Sequence, residues 1–233
     1  MKVALVTGGT SDIGSYIVRH LSCHGYDVIF TYLDNYVKAM ELSDSVTSQG
    51  GNVSYFKCDV RLDSDIDRLY NNILVKYDHL DVIVNNACFY NDDYYMNVSR
   101  ESFISVVNTN MIGPFFVIQK FNDMIVSDGV VINMLSTDGI DTYNPYSVDY
   151  CASKAGLLNI TRNLSLSVSY RVVGLAPNYV DTSSVRCMDS DFLASELERI
   201  GQKELISPLD VACKVVDIIN NKDIISGSIE RMD

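Results

Sequence analysis

Seven short apolar runs rich in Val and Ile punctuate the chain: VALV (3–6), DVIFTY (27–32), NVSYF (52–56), DVIVN (81–85), VVINM (130–134), YRVVGLA (170–176) and IISGSI (224–229). Runs of this kind read as parallel strands buried on both faces. The spacing between them leaves room for a helix. In the first gap Ile13, Ile17 and Leu21 share one helical face, and Gly25 follows as a stop signal. In a later gap Ile66, Leu69, Tyr70, Ile73 and Leu74 recur at helical spacing, with Asp63 or Ser64 placed to cap the helix.

This alternation predicts an α/β fold, a doubly wound parallel sheet of about seven strands with helices on both faces and right-handed crossovers. In such a sheet ligands bind beyond the carboxyl ends of the strands, so function is expected in the loops that follow them. The least regular stretches, 88–100 and 178–206, are candidate substrate-side loops. No repeat, low-complexity segment or Pro/Gly-rich linker interrupts the pattern, and residues 1–233 read as a single domain.

Charge narrows the functional classes. The 18 Lys and Arg residues against 30 Asp and Glu leave a net charge of −12. That argues against nucleic acid as a partner, because phosphate binding needs clustered basic side chains. Cys23, Cys58, Cys88, Cys151, Cys187 and Cys213 are scattered without metal-ligand spacing, so no metal is expected and the thiols read as reduced core or wall residues. Met1-Lys2 runs straight into VALV without the apolar segment and cleavage site of a signal peptide, and no apolar run approaches bilayer length. A cytoplasmic protein with no membrane partner is the expectation.

Two motifs carry candidate chemistry. In TGGTSDIG, Gly8 and Gly14 bracket a turn between the first strand and its helix, where backbone N–H groups could approach an anion without obstruction by a β-carbon. Asp12 complicates that turn, because its carboxylate could cap the helix and repel a diphosphate, so its direction decides the outcome. In YCASK, Tyr150 and Lys154 lie four apart at the start of an apolar-periodic segment and so on one helical face. An ammonium beside a phenol favours the phenolate and would lower the phenol pKa, tuning Tyr150 for proton transfer. Ser136 follows the strand VVINM, and Asn85-Asn86-Ala87 ends DVIVN, which places both at the same crevice edge.

Taken in order, these motifs with Asp59-Val60, Asn110 in NTNMIGPF, APNYVDT and SPLDVA run the length of the chain, which resembles the short-chain dehydrogenase/reductase family. Within it, the likeness is to the group that includes bacterial 3-oxoacyl-carrier-protein reductases. The resemblance implies a Rossmann fold and a nicotinamide-dependent oxidoreductase moving a hydride between the cofactor and a carbonyl or alcohol group of a small molecule. It implies that Tyr150 exchanges a proton with the substrate oxygen and that Ser136 hydrogen-bonds that oxygen. Lys154 would bind the nicotinamide ribose and depress the Tyr150 pKa, and Asn110 would hold a water in a relay to Lys154. For the cofactor it implies Gly8, Thr10, Ser11, Asp12, Ile13 and Gly14 in the phosphate turn and Tyr32 at the end of the second strand. Asp59 and Val60 would meet the adenine, Asn86 and Ala87 the adenosine ribose, and Thr182 the nicotinamide amide or the diphosphate, with Pro177 and Val180 also among the cofactor-binding residues.

An acidic residue at the end of the second strand marks NAD preference, because it binds the ribose 2′-hydroxyl and repels a 2′-phosphate. Tyr32 stands there instead, favouring NADP(H) over NAD(H), although Lys38 is the nearest cation and Asp34 has the wrong sign. Asp12, Cys88 and Asn178 replace family glycines, and they keep open a non-catalytic dinucleotide-binding scaffold or sensor on the same fold. The chain stops at ERMD without the glycine tail that in relatives lies near a subunit interface, leaving the expected assembly a homodimer or homotetramer. An acidic carrier-protein partner is disfavoured by the lack of a basic patch.

Overall fold

The computed structural model describes residues 1–233. Its strands are β1 (Lys2–Val6), β2 (Tyr26–Tyr32), β3 (Val53–Lys57), β4 (Leu80–Asn85), β5 (Ile125–Met134), β6 (Arg171–Pro177) and β7 (Ile229–Met232). They pair in parallel in the order β3-β2-β1-β4-β5-β6-β7. The chain winds outward from β1 in one direction and from β4 in the other, so the β1/β4 junction is the switch point where a crevice opens.

The helices are α1 (Asp12–Cys23), α2 (Tyr36–Ser48), α3 (Asp63–Leu74), α4 (Arg100–Val107), α5 (Gly113–Phe121), α6 (Val148–Leu164), α7 (Ser183–Arg186), α8 (Ser190–Ile200) and α9 (Pro208–Asn220). Successive strand residues face opposite sides of the sheet. Accordingly, Ala4 and Val6 of β1 enter one core with Ile17 and Leu21 of α1, Leu42 of α2 and Val215 of α9. Val3 and Leu5 enter the other with Ile66, Leu69 and Ile73 of α3 and Phe121 of α5. This two-sided burial explains why the strands read as continuous apolar runs.

Local signals operate where they were expected, with exceptions. Gly25 follows α1 with φ +81° as expected, but the cap is Ser11 and not Asp12, the Ser11 hydroxyl accepting the Gly14 N–H at 3.0 Å. In α3 neither Asp63 nor Ser64 is the cap; Leu62 holds that position without a side-chain bond. Leu74 is 45% exposed, so the apolar stripe narrows to the buried Ile66, Leu69 and Ile73 with Tyr70 packed at its margin. The last strand begins at Ile229, where the expected one ended, because Gly227 at φ +87° makes a turn of the preceding residues.

The 178–206 stretch, expected to be irregular, contains α7 and α8. One continuous helical run, Arg100–Met124, is long and apolar enough by length and composition to cross a membrane. Polar residues interrupt its apolar character, so no single apolar run in it reaches bilayer length, and it buries Val106, Val117, Ile118 and Phe121 within the fold. The cysteine expectation also changes. Cys58 is buried and Cys151 half-buried, whereas Cys23, Cys88, Cys187 and Cys213 are exposed, Cys88 in a cavity wall. Cys23 and Cys213 lie on exposed helix positions and Cys187 in the turn after α7, and nothing in their spacing marked them as surface residues.

A methyl group at Gly14 would collide with the Gly8 carbonyl oxygen and approach Asn86 Nδ2 to 2.7 Å. Gly14→Ala is therefore expected to cost about 1–3 kcal/mol of stability, measured as a lower urea midpoint at unchanged slope.

Candidate active site

The turn after β1 is locked to the start of the loop after β4. Thr7 Oγ1 accepts the N–H groups of Asn86 and Ala87, each at 3.0 Å. Asn86 Nδ2 donates to the carbonyls of Thr7 (3.0 Å) and Gly8 (2.9 Å) and to Ser11 Oγ (3.2 Å). Gly8 adopts φ +64°, and a β-carbon there would sit 2.8 Å from Ala87 Cα, so glycine is required. The first N–H groups of α1 have no partner within the helix, and Asp12 and Ile13 open on the crevice. This donor set fits a diphosphate.

Asp12 neither caps α1 nor closes that donor set. Its carboxylate accepts the Ser183 N–H at 2.5 Å, tying the glycine turn to the start of α7 across the crevice.

Along the carboxyl ends of the strands runs a cavity of about 1070 Å³. It is lined by Gly8, Thr10, Ser11, Asp12, Ile13, Tyr32, Asp59, Val60, Asn86, Ala87, Ser136, Tyr150, Lys154, Pro177, Val180 and Thr182. Of the site residues singled out in the sequence, Gly14 and Asn110 lie behind its wall, as does Asn85, which was expected at the crevice edge and instead bonds Asn133 inside the sheet. Arg61 is a lining residue that sequence reasoning missed. It forks onto Asp59, with Nε 2.8 Å from Oδ1 and Nη2 2.6 Å from Oδ2, and its Nη1 donates to Ser105 Oγ at 3.1 Å. The Arg61 guanidinium holds the Asp59 carboxyl below the usual range. The alternation Asp59-Val60-Arg61 after a strand was the available signal.

At the other end, Ser136 emerges from β5 and is buried, its hydroxyl accepting the Asp138 N–H at 3.2 Å. Tyr150 and Lys154 lie one turn apart on α6, with Nζ 5.4 Å from the phenol ring centre. That ammonium is buried and donates to the Met134 carbonyl of β5 at 2.7 Å. The expected lowering of the Tyr150 pKa does not occur in this geometry. Burial pushes the phenol well above its ordinary value, the Cys88 thiol and Asp138 carboxyl push the same way, and the Ser136 hydroxyl pulls it down. Desolvation outweighs the ammonium, which is turned toward a backbone carbonyl. Burial also raises Asp138 to about 6, with Glu196 adding and Arg199 opposing.

Asn110 sits in a π-helical turn, Asn108–Ile112, and its carboxamide is fully engaged. Oδ1 accepts the Phe89 N–H at 2.8 Å, while Nδ2 donates to the Phe89 carbonyl (2.8 Å) and Ser153 Oγ (3.1 Å). Ser153 Oγ in turn donates to the Tyr150 carbonyl at 2.7 Å. The side chain thus ties the loop after β4 to the turn of α6 that carries Tyr150. Cys88, at a position of a family glycine, is accommodated by exposure in the wall.

A nucleotide-sized crevice with a glycine turn at one end and a Tyr–Lys–Ser group at the other defines a nicotinamide-dependent oxidoreductase acting on a small molecule. The family model described as short chain dehydrogenase matches residues 2–191, and the chain belongs to that family. A 3-oxoacyl-acyl-carrier-protein reductase, FabG, of Staphylococcus epidermidis is 26% identical over 226 residues, covering 95% of this chain and 92% of that protein. A dehydrogenase/reductase structure from Sinorhizobium meliloti 1021 superposes with a TM-score of 0.93 at 24% identity, covering 100% of this chain and 93% of that one. The angucycline C-6 ketoreductase LanV, solved with bound NADP, gives 0.90 at 25% identity over 99% of this chain and 93% of its own.

Removing the Asp12 carboxylate relieves repulsion of a diphosphate and loses the bond to Ser183, two opposed effects. Asp12→Gly is therefore expected to change the NADPH dissociation constant by less than about tenfold in fluorescence titration; a larger loss would make the carboxylate an essential part of the cradle.

Proposed function

We propose that this oxidoreductase reduces a carbonyl group of a small molecule, with NADP(H) preferred and Tyr150 as general acid. The observation that carries the reading is the placement of Ser136, Tyr150 and Lys154 in one wall of the cavity whose far end holds the glycine turn.

For NADP(H), the support is the absence of a carboxylate at Tyr32, with Lys38 and Arg61 both lining the adenosine end. Asp34 also lines it; the Arg61 guanidinium is raised chiefly by its hydrogen bonds to Asp59, with the field of Asp34 a smaller addition. LanV's bound NADP agrees. The residues that would hold the cofactor are Thr10 to Ile13 at the diphosphate, Asp59 and Val60 at the adenine, Lys154 at the nicotinamide ribose and Thr182 beside the nicotinamide. When bound, the nicotinamide supplies or receives the hydride.

The chain's own part is proton transfer and alignment. The Tyr150 O–H donates to the carbonyl oxygen as negative charge develops there, and the Ser136 O–H hydrogen-bonds the same atom. Asn110 and Ser153 position the turn carrying Tyr150. A phenol pushed above its ordinary value remains protonated at neutral pH and is ready to act as an acid. A homodimer or homotetramer is part of this proposal, supported by Phe103, Ile104 and Val148, which leave an exposed apolar groove between α4 and α6.

Tyr150→Phe is expected to lower the reduction rate at least about a hundredfold with nearly unchanged cofactor affinity. Equal turnover by the variant would remove Tyr150 from the mechanism, and cofactor binding without reduction of any carbonyl by wild type would favour the scaffold reading. Because the raised phenol is protonated throughout this range, carbonyl reduction should be flat from about pH 7 to 9, whereas alcohol oxidation, which needs phenolate, should rise about tenfold per pH unit. Steady-state rates in both directions check the sign.

A further inference from the structure

The substrate end of the cavity is walled by rings from three separate segments. Phe89 and Tyr90 come from the segment after β4, Tyr146 from the loop before α6, and Tyr179 and Phe192 from the segment after β6. Tyr90 meets Tyr150 edge-on at 6.1 Å between ring centres, and Tyr146 meets Phe192 in the same way at 5.7 Å. Aromatic faces present negative potential to a ligand between them.

Apart from Lys154, the charged groups lining this end are carboxylates. Asp138, half-buried beside Ser136, and Asp92 at the rim line the cavity, and neither carboxyl has a hydrogen-bonding partner among its neighbours. Asp189, also in the wall, is occupied in capping α8, where it accepts the N–H groups of Asp191 (3.1 Å) and Phe192 (2.9 Å). The three lining cations are committed elsewhere or distant. Lys154 is bound to the Met134 carbonyl, Arg61 is forked onto Asp59, and Lys38 lies at the adenosine end. Arg199 approaches Asp138 from α8 but is bonded to Glu196 and does not line the cavity.

A neutral or anionic ligand filling this space would strip water from the Asp138 carboxylate and leave it only the partial offset of the Arg199 field, which is costly. A cation would pair with it and pack against the ring faces. The chain's net charge of −12 attracts the same species from solution. We infer that the substrate is a carbonyl compound bearing a positively charged nitrogen, with Asp138 and Asp92 selecting that charge and the aromatic walls enclosing it.

The inference rests on the carbonyl-reductase reading. In that reaction NADPH would supply the hydride to the carbonyl carbon and leave as NADP+, the C=O π pair would become an oxygen lone pair that takes the Tyr150 proton, and the phenolate would recover a proton from solvent. The ammonium group is unchanged in the step.

The test compares two ketones of one shape at pH 7.5 with NADPH: the N-benzyl-N-methyl-4-oxopiperidinium cation and its carbon isostere, 4-benzyl-4-methylcyclohexanone. The anionic 4-oxocyclohexanecarboxylate serves as a third substrate. Wild type should show kcat/KM for the cation at least about tenfold above the isostere, chiefly through KM, with the carboxylate poorest. In the Asp92→Asn/Asp138→Asn double variant the cation-to-isostere ratio should fall to within about threefold of unity, a ratio that does not depend on the fraction of folded enzyme.

Benzyltrimethylammonium should also inhibit wild-type reduction of the neutral ketone competitively, a measurement that needs no variant. A wild-type ratio near unity, preference for the carboxylate, or a ratio unchanged in the double variant would overturn the inference while leaving the reductase reading in place. Failure of all three ketones with both NADPH and NADH would instead count against the reductase reading and remove this inference with it.

Discussion

The site hangs on the clasp between Thr7 and Asn86 at the switch point of the sheet. One hydroxyl receives two consecutive N–H groups of the loop after β4, and one amide nitrogen reaches two carbonyls and the cap of α1. Both residues are buried, so each of these bonds would be costly to leave unmade. The clasp sets the glycine turn against Ala87 and directs the start of α1 at the crevice. It also means that the Asn86 side chain builds the floor of the site, beyond any contact it makes with a ribose.

The opposite end is organised by burial. Packing Tyr150, Asp138 and Tyr179 around a common space raises all three, because each loses water that would stabilise its charged form. A phenol held protonated suits carbonyl reduction more than alcohol oxidation. Lys154 is anchored to β5 and Asn110 to the Phe89 backbone, so two residues that the family resemblance points to are also structural ties between elements. The contact of Asp12 with Ser183 adds a tie across the crevice, joining the glycine turn to the segment carrying Thr182.

Much of this was legible because strand periodicity, helix caps and motif order are local properties. The two-sided apolar runs located five strands to within a residue and the carboxyl half of β5, which begins earlier at Ile125, and Gly25 closed α1 as its chemistry requires. The seventh strand was displaced because IISGSI has the composition of a strand while Gly227 needs a left-handed turn. The α3 cap was misread because two acidic or hydroxyl candidates adjoin a position where Asp65 is instead turned to accept the Asp59 N–H at 3.0 Å. Continuous helix through Arg100–Met124 was hidden by polar residues that tolerate a π turn.

By itself the sequence determined the doubly wound order, the glycine turn, and a Tyr–Lys pair on one helical face, since each follows from backbone period or a residue's intrinsic geometry. Only the tertiary structure decided where the side chains of those residues point and what surrounds them. Asp12 meets an amide 171 positions away, Arg61 forks back onto Asp59 while reaching Ser105, and Asp138 faces Tyr150 from another element. Such pairings depend on how helices seat on the sheet and on how much water that packing removes. Burial reversed the expected direction of the Tyr150 pKa because desolvation belongs to the assembled fold, whereas the i,i+4 spacing could report only that an ammonium was near.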